Sequence, residues 1–190
     1  MIATDEMLDS EVVIDCPVPQ NPDFKIKGKL RDMVHSDNLG LRFLLAMHGY
    51  AHDILVKDED SQIRCAVAMQ NSHLDVLIND HDFYVREQVA KQGYGLEVLI
   101  NDPEDAVRGA VAKHIGTLTE EKRTQLINDE SSFVRWCVAR EGYGLEKFVD
   151  DPDSWVRMEV AEHGYGLDKL RNDPDECVRY SVYKYEHDML

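Results

Sequence analysis

The feature that most constrains the fold is a succession of similar segments about 22 residues long. Residues 151 to 172 read DPDSWVRMEVAEHGYGLDKLRN, and DPDECVRYSV starts the same pattern again at residue 173. The aspartates that open successive copies are separated by 22, 27, 22 and 22 positions, counted between their residue numbers. They are Asp80, Asp102, Asp129, Asp151 and Asp173. A fixed period of this size is typical of solenoids, in which each repeat packs on its neighbours.

Two earlier segments extend the array to seven repeats. DEDSQIRCAVAMQNSHLDVLIN from Asp58 fits the same frame, and SDNLGLRFLLAMHGYAHDILVK from Ser36 fits it loosely. The 27-residue copy carries an insertion of five residues around GTLTEEKRTQ. We therefore divide the chain into a non-repeat N-terminal capping segment, residues 1-35, and a repeat domain, residues 36-190.

Each repeat predicts one α-helix with a buried stripe. Asp151 is a residue type that caps a helix N-terminus, and Pro152 suits the first helical position, where its missing N–H has no cost. The acidic Asp153 suits the positive end of the helix dipole. Val156 and Val160 then fall on one face of the helix and predict the core.

The end of each helix is followed by a shorter helical segment. Gly164 predicts the stop, because glycine adopts the left-handed conformation of a helix C-terminus without steric cost. The segment from Leu167 to Leu170 is too short to be helical alone, so we expect it to depend on stacking between repeats.

The pattern D-P-x-x-x-V-R-x-x-V-A, followed by glycine and L-x-x-L, resembles HEAT-like repeats. It is most similar to the leucine-rich repeat variant, whose repeats pair an α-helix with a short 3₁₀-type helix. The resemblance is good over residues 58–190 and weak over residues 36–57. It implies an all-α, right-handed α-solenoid, but not a specific function, because such folds host many functions. One departure is Gly-Tyr-Gly, which replaces the family's proline before the second helix in three repeats.

Two columns of the repeat have both a structural and a functional interpretation. An arginine follows the core valine, and a stripe of arginines is able to bind anions. We favour a structural role instead, in which each guanidinium forks onto the opening aspartate of a neighbouring repeat. The column comprises Arg42, Arg64, Arg86, Arg108, Arg135, Arg157 and Arg179. A tyrosine column in the turns (Tyr50, Tyr94, Tyr143 and Tyr165) is interpreted as a cover for the loop end of the core, with recognition as the alternative.

The acidic composition argues against some classes of binding partner. The formal net charge is −16 with a pI near 4.8, which argues against direct nucleic-acid binding through a basic groove. The sequence lacks an apolar run of about 18 residues that would cross a membrane. The acidic start MIATDEMLDSEVVID does not resemble a signal peptide, and the cysteines have no paired spacing, so we expect a cytoplasmic protein.

No catalytic motif is recognised in the sequence. The His-Glu pairs nearest to a di-iron motif, Glu162-His163 and Glu186-His187, are in reversed order, and the other histidines follow no ligand spacing. A nucleophile with a base in a known frame and a phosphate-binding loop are also lacking. We therefore predict a non-enzyme with no metal, cofactor or catalytic residues.

The helix face opposite the core provides the partner-binding candidates. In later repeats this face carries large apolar side chains, which are the informative kind of exposure on an acidic protein. For Phe133 and Trp155, tucking between repeats as core is the open alternative. The predicted partner-binding residues are Tyr84, Phe133, Trp136, Trp155, Met158 and Tyr180.

The N-terminal segment differs in kind from the repeats. EVVIDCPVPQNPDFKIKGKL combines β-branched residues, prolines and a small basic cluster. It predicts an extended segment or small hairpin that covers the first repeat, because terminal repeats need a cap.

The sequence thus predicts a non-catalytic scaffold that binds another protein through an aromatic and acidic face. The alternative is an acidic DNA mimic of phage or mobile-element type, which would occupy a nucleic-acid-binding protein.

Overall fold

A computed structural model describes residues 4–15 and 25–188. The chain divides into two compact halves, Met1–Gly95 and Leu96–Leu190. The helices in both halves follow one another as repeats, which confirms the all-α repeat solenoid predicted from the sequence.

The N-terminal half combines a hairpin with the first repeats. The long helices of successive repeats, α3, α5 and α7, pack side by side. The elements are α1 (Asp5–Leu8), β1 (Glu11–Asp15), β2 (Lys25–Lys29), α2 (Leu30–Val34), α3 (Leu39–Met47), α4 (His52–Leu55), α5 (Ser61–Met69), α6 (Leu74–Leu77) and α7 (Phe83–Lys91).

The C-terminal half contains the best-matched repeats. Its long helices α9, α11, α13 and α15 pack consecutively, with shorter helices between them. The elements are α8 (Leu96–Leu99), α9 (Asp105–Ala112), a 3₁₀ turn (Ile115–Thr117), α10 (Glu120–Ile127), α11 (Ser132–Arg140), α12 (Leu145–Phe148), α13 (Ser154–Glu162), α14 (Leu167–Leu170) and α15 (Glu176–Asp188).

The predicted core stripe is confirmed. In α13, Val156, Val160 and Ala161 are fully buried, and the equivalent positions of α7, α9 and α11 are buried as well. The spacing of these residues places them on one face, and stacking of neighbouring long helices removes that face from water.

The predicted helix start is wrong by two residues. The N-cap of α13 is Asp153, whose carboxylate accepts the backbone N–H of Trp155 at 2.9 Å. Asp151 precedes the helix and accepts the N–H of Asp153 at 3.0 Å, so Pro152 lies in a turn outside the helix. The reason is that the Asp151 carboxylate is turned toward the arginine of the preceding repeat.

The predicted glycine stop is confirmed. Gly164 has φ +71 and follows the C-cap residue His163. Its N–H donates to the carbonyl of Ala161, and the N–H of Tyr165 donates to that of Val160. These two bonds form a Schellman motif, which satisfies carbonyls that the helix end leaves free.

The short second segments are single α-helical turns, α12 and α14 among them. Each begins after a glycine in the left-handed conformation, Gly144 or Gly166. The insertion in the 27-residue repeat lengthens this segment into α10, which is preceded by the 3₁₀ turn. The extra residues therefore extend the second helix, while the long helix α9 has 8 residues instead of the 9 of α11 and α13.

The N-terminal hairpin is also present. β1 and β2 pair antiparallel, with Val13 opposite Lys27. Val12 and Ile14 are buried on one side of the hairpin, and α2 packs against α3 of the first repeat. A boundary between residues 35 and 36 stays a prediction, and Cys16 lies outside the described residues.

Candidate functional site

The arginine column forms bidentate ion pairs. Arg157 donates from Nε and Nη2 to the two carboxylate oxygens of Asp173 at 2.7 and 2.8 Å. Its third nitrogen, Nη1, donates to the backbone carbonyl of Asp151 at 2.8 Å. The same two-oxygen fork joins Arg42 to Asp58, Arg64 to Asp80, Arg108 to Asp129 and Arg135 to Asp151.

This geometry confirms the structural interpretation for these five of the seven arginines in the column. The guanidinium ties its own repeat's opening turn to the carboxylate that opens the next repeat. The hydrogen bond to Asp173 raises the pKa of Arg157, and the same contact is the main reason that the pKa of Asp173 is lowered. Both groups stay charged at neutral pH. We call these five pairs the Arg–Asp ladder.

A cavity of about 250 Å³ opens on the outer side of α11 and α13. Three aromatic side chains line it, namely Phe133, Trp136 and Trp155, together with Ser132 and Asp153. The rings of Phe133 and Trp136 are tilted by 30° with their centroids 6.0 Å apart. The three aromatic residues were predicted from the sequence to share the partner-binding face, and in the structure they line one cavity.

Two neighbours of this cavity were missed from the sequence. Gly109 lies beneath Phe133, and a Cβ at this position would come within 2.7 Å of the ring. The buried Glu159 lies beside the Trp136 side chain, and burial is the main cause of its raised pKa. Gly109 could have been found from the sequence, because it is a glycine at the repeat position where the later repeats carry Trp136, Met158 and Tyr180. Glu159 had no such signal.

Trp136 is therefore held on more than one side. The Arg140 guanidinium lies over its ring, 5.3 Å from the centroid. Glu159 also lies beside the indole, so Trp136 has two ionisable side chains as neighbours.

A second cavity, of about 590 Å³, lies along α13 and α15. Met158 and Tyr180 line it with Cys177, and Glu162 and Glu176 contribute carboxylates. Lys184 is a further lining residue and is cationic. We use the name aromatic face for Phe133, Trp136, Trp155, Met158 and Tyr180.

Exposure differs across the aromatic face. Trp155 is 65% exposed, Tyr180 66% and Phe133 43%, whereas Trp136 and Met158 are half-buried. The alternative in which Phe133 and Trp155 tuck away as core is therefore wrong. Tyr84 is 58% exposed at the equivalent of the Trp155 position in the N-terminal half.

The tyrosine column of the turns is less uniform. Tyr94 and Tyr165 are exposed, and the Arg123 guanidinium lies 5.7 Å from the Tyr143 ring centroid. These side chains lie at the turns, and only part of each is withdrawn from water.

The three described cysteines form no disulfide. Cys65 and Cys137 are half-buried, whereas Cys177 is exposed. Burial is the main cause of a pKa of about 11 for both Cys65 and Cys137, so these thiols stay protonated at neutral pH. Across residues 4–15 and 25–188, histidines, cysteines and acidic residues form no cluster of three or more placed to hold a metal ion. In that same part of the chain, every helix is too short or too polar to cross a membrane.

Comparisons with known proteins agree with the repeat geometry. No family model matches the sequence, and no curated protein does so at a significant level. A solved structure of a leucine-rich repeat variant with a novel repetitive protein structural motif does match, with a TM-score of 0.61. The chain is thus similar in fold to a leucine-rich repeat variant. The match has 28% sequence identity and covers 83% of this chain and 70% of that one. Repeat folds of this kind are typically non-catalytic scaffolds for interaction.

Proposed function

We propose that this repeat protein is a non-catalytic scaffold that binds another protein through the aromatic face. The observation that carries the proposal is the exposure of Trp155 and Tyr180, both about two-thirds accessible and each beside a cavity. Large aromatic side chains presented to water beside concave surfaces are typical of binding hot spots.

The distribution of charge supports a protein partner. Carboxylates of Asp153, Glu162 and Glu176 line the two cavities beside the aromatic groups. In a protein complex such charges set orientation and association rate, while buried aromatic groups supply most of the affinity.

The DNA-mimic alternative receives less support. It needs rows of free carboxylates that imitate phosphates, but the aspartates of the Arg–Asp ladder are buried and paired with arginine. A substantial part of the acidic composition therefore has a structural use. A partner that is a DNA-binding protein and is released by moderate salt would favour this alternative.

The test uses the full chain as bait in an extract of its native host, with captured proteins quantified by mass spectrometry. Trp155→Ser combined with Tyr180→Ser removes the two exposed groups, and we expect one protein captured by the natural chain to be lost. On the hot-spot scale the affinity decrease is several kcal/mol, at least about 2 kcal/mol for a dominant residue.

Val98→Ser is the matched control, because Val98 is an exposed apolar residue on α8, away from the aromatic face. It should leave capture unchanged. Melting temperatures of all variants separate loss of binding from loss of folding. Equal capture by the natural chain and the double variant would refute the proposed site.

A further inference from the structure

We propose that the cavity between α11 and α13 receives an arginine side chain from a basic segment of the partner protein. This inference rests on the proposed function and specifies the chemistry that the aromatic face recognises. It starts from the lining of one cavity, in which three aromatic rings meet a carboxylate and a hydroxyl group.

The lining suits a cation. Phe133, Trp136 and Trp155 present aromatic rings, whose faces attract a cation through the ring quadrupole. Asp153 adds a full negative charge at the same cavity. An apolar side chain placed there would remove water from this carboxylate without replacing its interactions, which is unfavourable.

The size suits one side chain. The cavity measures about 250 Å³, and small-molecule sites typically measure about 300–1,000 Å³. A single extended side chain fills such a space better than a drug-sized ligand does.

Arginine fits these groups better than lysine. Its guanidinium is planar, stacks on aromatic rings and is more weakly hydrated than an ammonium group. The molecule already contains one such contact, since Arg140 lies over the Trp136 ring at 5.3 Å. The incoming side chain would make the equivalent contact on the cavity side, with Asp153 as its charge partner.

The electrostatic field of the whole chain favours a basic segment of the partner. The chain carries a formal net charge of −16, which attracts cationic partners over a long range. Next to the arginine cavity, Glu162 and Glu176 line the cavity that contains Met158 and Tyr180. Residues that follow the arginine in an extended basic segment would therefore meet further carboxylates.

The chain contains its own reporter for this test. Both of its tryptophans, Trp136 and Trp155, line the cavity, so tryptophan fluorescence reads this site alone. We would titrate the full chain at about 150 mM salt with a peptide of alternating glycine and arginine. Three further peptides replace every arginine with lysine, trimethyllysine or neutral citrulline.

We expect a saturable fluorescence change with the arginine peptide. The citrulline peptide should bind at least about 3-fold more weakly, because it loses the cation–π contact and also the long-range attraction of its other cations. The lysine peptide should lie between the two. If the citrulline peptide bound as tightly as the arginine peptide, the cavity would not require a cation and the proposal would be overturned. Equal or tighter binding of the lysine or trimethyllysine peptide would overturn the choice of arginine.

Asp153→Asn isolates the charge. Asparagine caps a helix about as well as aspartate, so α13 keeps its N-cap while the cavity loses its carboxylate. We expect about a 3- to 10-fold weaker arginine titration, comparable to loss of one charge-assisted contact.

Asp82→Asn is the matched control, because Asp82 caps α7 through the N–H of Tyr84 at the same 2.9 Å. It removes the same charge outside the cavity and should leave the titration unchanged. An equal effect of both variants would reduce the interaction to general attraction by the acidic chain and overturn the proposal.

The outcomes separate this inference from the proposed function. If the arginine peptide does not bind, but Trp155→Ser with Tyr180→Ser still abolishes capture of the native partner, the arginine inference fails and the scaffold function stands. If the double variant also captures the partner normally, both fail.

Discussion

The Arg–Asp ladder and the aromatic face are built on the same helices but obey different rules. In the ladder the arginine and the aspartate recur, and five forks have nearly the same geometry. The residue directly after each arginine changes every time. From Arg64 onward it is Cys65, Glu87, Gly109, Trp136, Met158 and Tyr180.

The contrast separates what holds the repeats together from what distinguishes one repeat from another. Ladder residues are constrained because each carboxylate must satisfy an arginine from the preceding repeat and a backbone N–H in its own turn. The outer positions take no part in these hydrogen bonds, so their identity can vary from repeat to repeat, although Phe133 restricts Gly109. The predictions below test this division.

Acid should have the largest effect, through the two ladder carboxylates whose pKa is lowered in the folded protein, Asp80 and Asp173. The pKa of Asp173 lies below its ordinary value of 3.8, chiefly because of Arg157, so its stabilisation is complete above that ordinary value. It is lost as the pH falls through the lower folded-state pKa. Melting temperatures measured from about pH 7 to about pH 2 should fall steeply only below about pH 4.

Asp173→Asn provides the control for acid unfolding, because it removes one titrating ladder group. Its melting temperature should be lower at neutral pH and should depend less on pH in the acid range. Glu159 should change stability in the opposite direction. Because its pKa is raised in the folded protein, its protonation favours the folded state as the pH falls. A main transition well above pH 4 would contradict the ladder as its cause.

Removing one ladder carboxylate should be the most damaging single substitution. Asp151→Ala deprives Arg135 of both carboxylate hydrogen bonds and the Asp153 N–H of its acceptor. We expect the free energy of unfolding to fall by about 3 kcal/mol, because a largely buried charge loses its partner. Chemical denaturation of both proteins measures this difference in the free energy of unfolding. Asp150→Ala, at the exposed neighbouring position, should cost at most about 0.5 kcal/mol. Similar losses for both variants would argue against the ladder.

Keeping the charge but losing the planar fork should have an intermediate effect. Arg157→Lys retains one positive charge but not two parallel bonds to Asp173 together with a bond to the Asp151 carbonyl. A loss of about 1–2 kcal/mol is expected in denaturant unfolding. Arg171→Lys, at an exposed ion pair, should be nearly neutral. Unchanged stability with loss of partner binding would instead make the column a binding site.

The smallest effects should occur within the aromatic face, and they should differ between its two tryptophans. Trp136→Phe removes the indole on which the Arg140 guanidinium lies and should cost about 1 kcal/mol. Trp155→Ser should change stability by no more than about 0.5 kcal/mol, because that side chain is mostly in water. Thermal melts of the two variants make the comparison, and the reverse order would place Trp155 in the core.

Local pattern was sufficient to predict much of this protein. The valine spacing predicted the buried stripe, the glycines predicted the helix ends, and the arginine column predicted the forks. The stripe and the helix ends follow from helix periodicity and from conformational preferences within one repeat, whereas the forks follow from arginine and aspartate recurring at fixed positions of successive repeats. The outward column of aromatic residues was readable for the same reason.

Only the tertiary structure decided how groups from different repeats share partners. Asp151 and Asp153 are equally good caps by type, and the arginine of the preceding repeat selects which of them caps the helix. Contact between neighbouring helices likewise buries Glu159 beside Trp136 and places Phe133 over Gly109. Such choices depend on distances between segments 16 or more residues apart, which stacking sets and which no local pattern encodes.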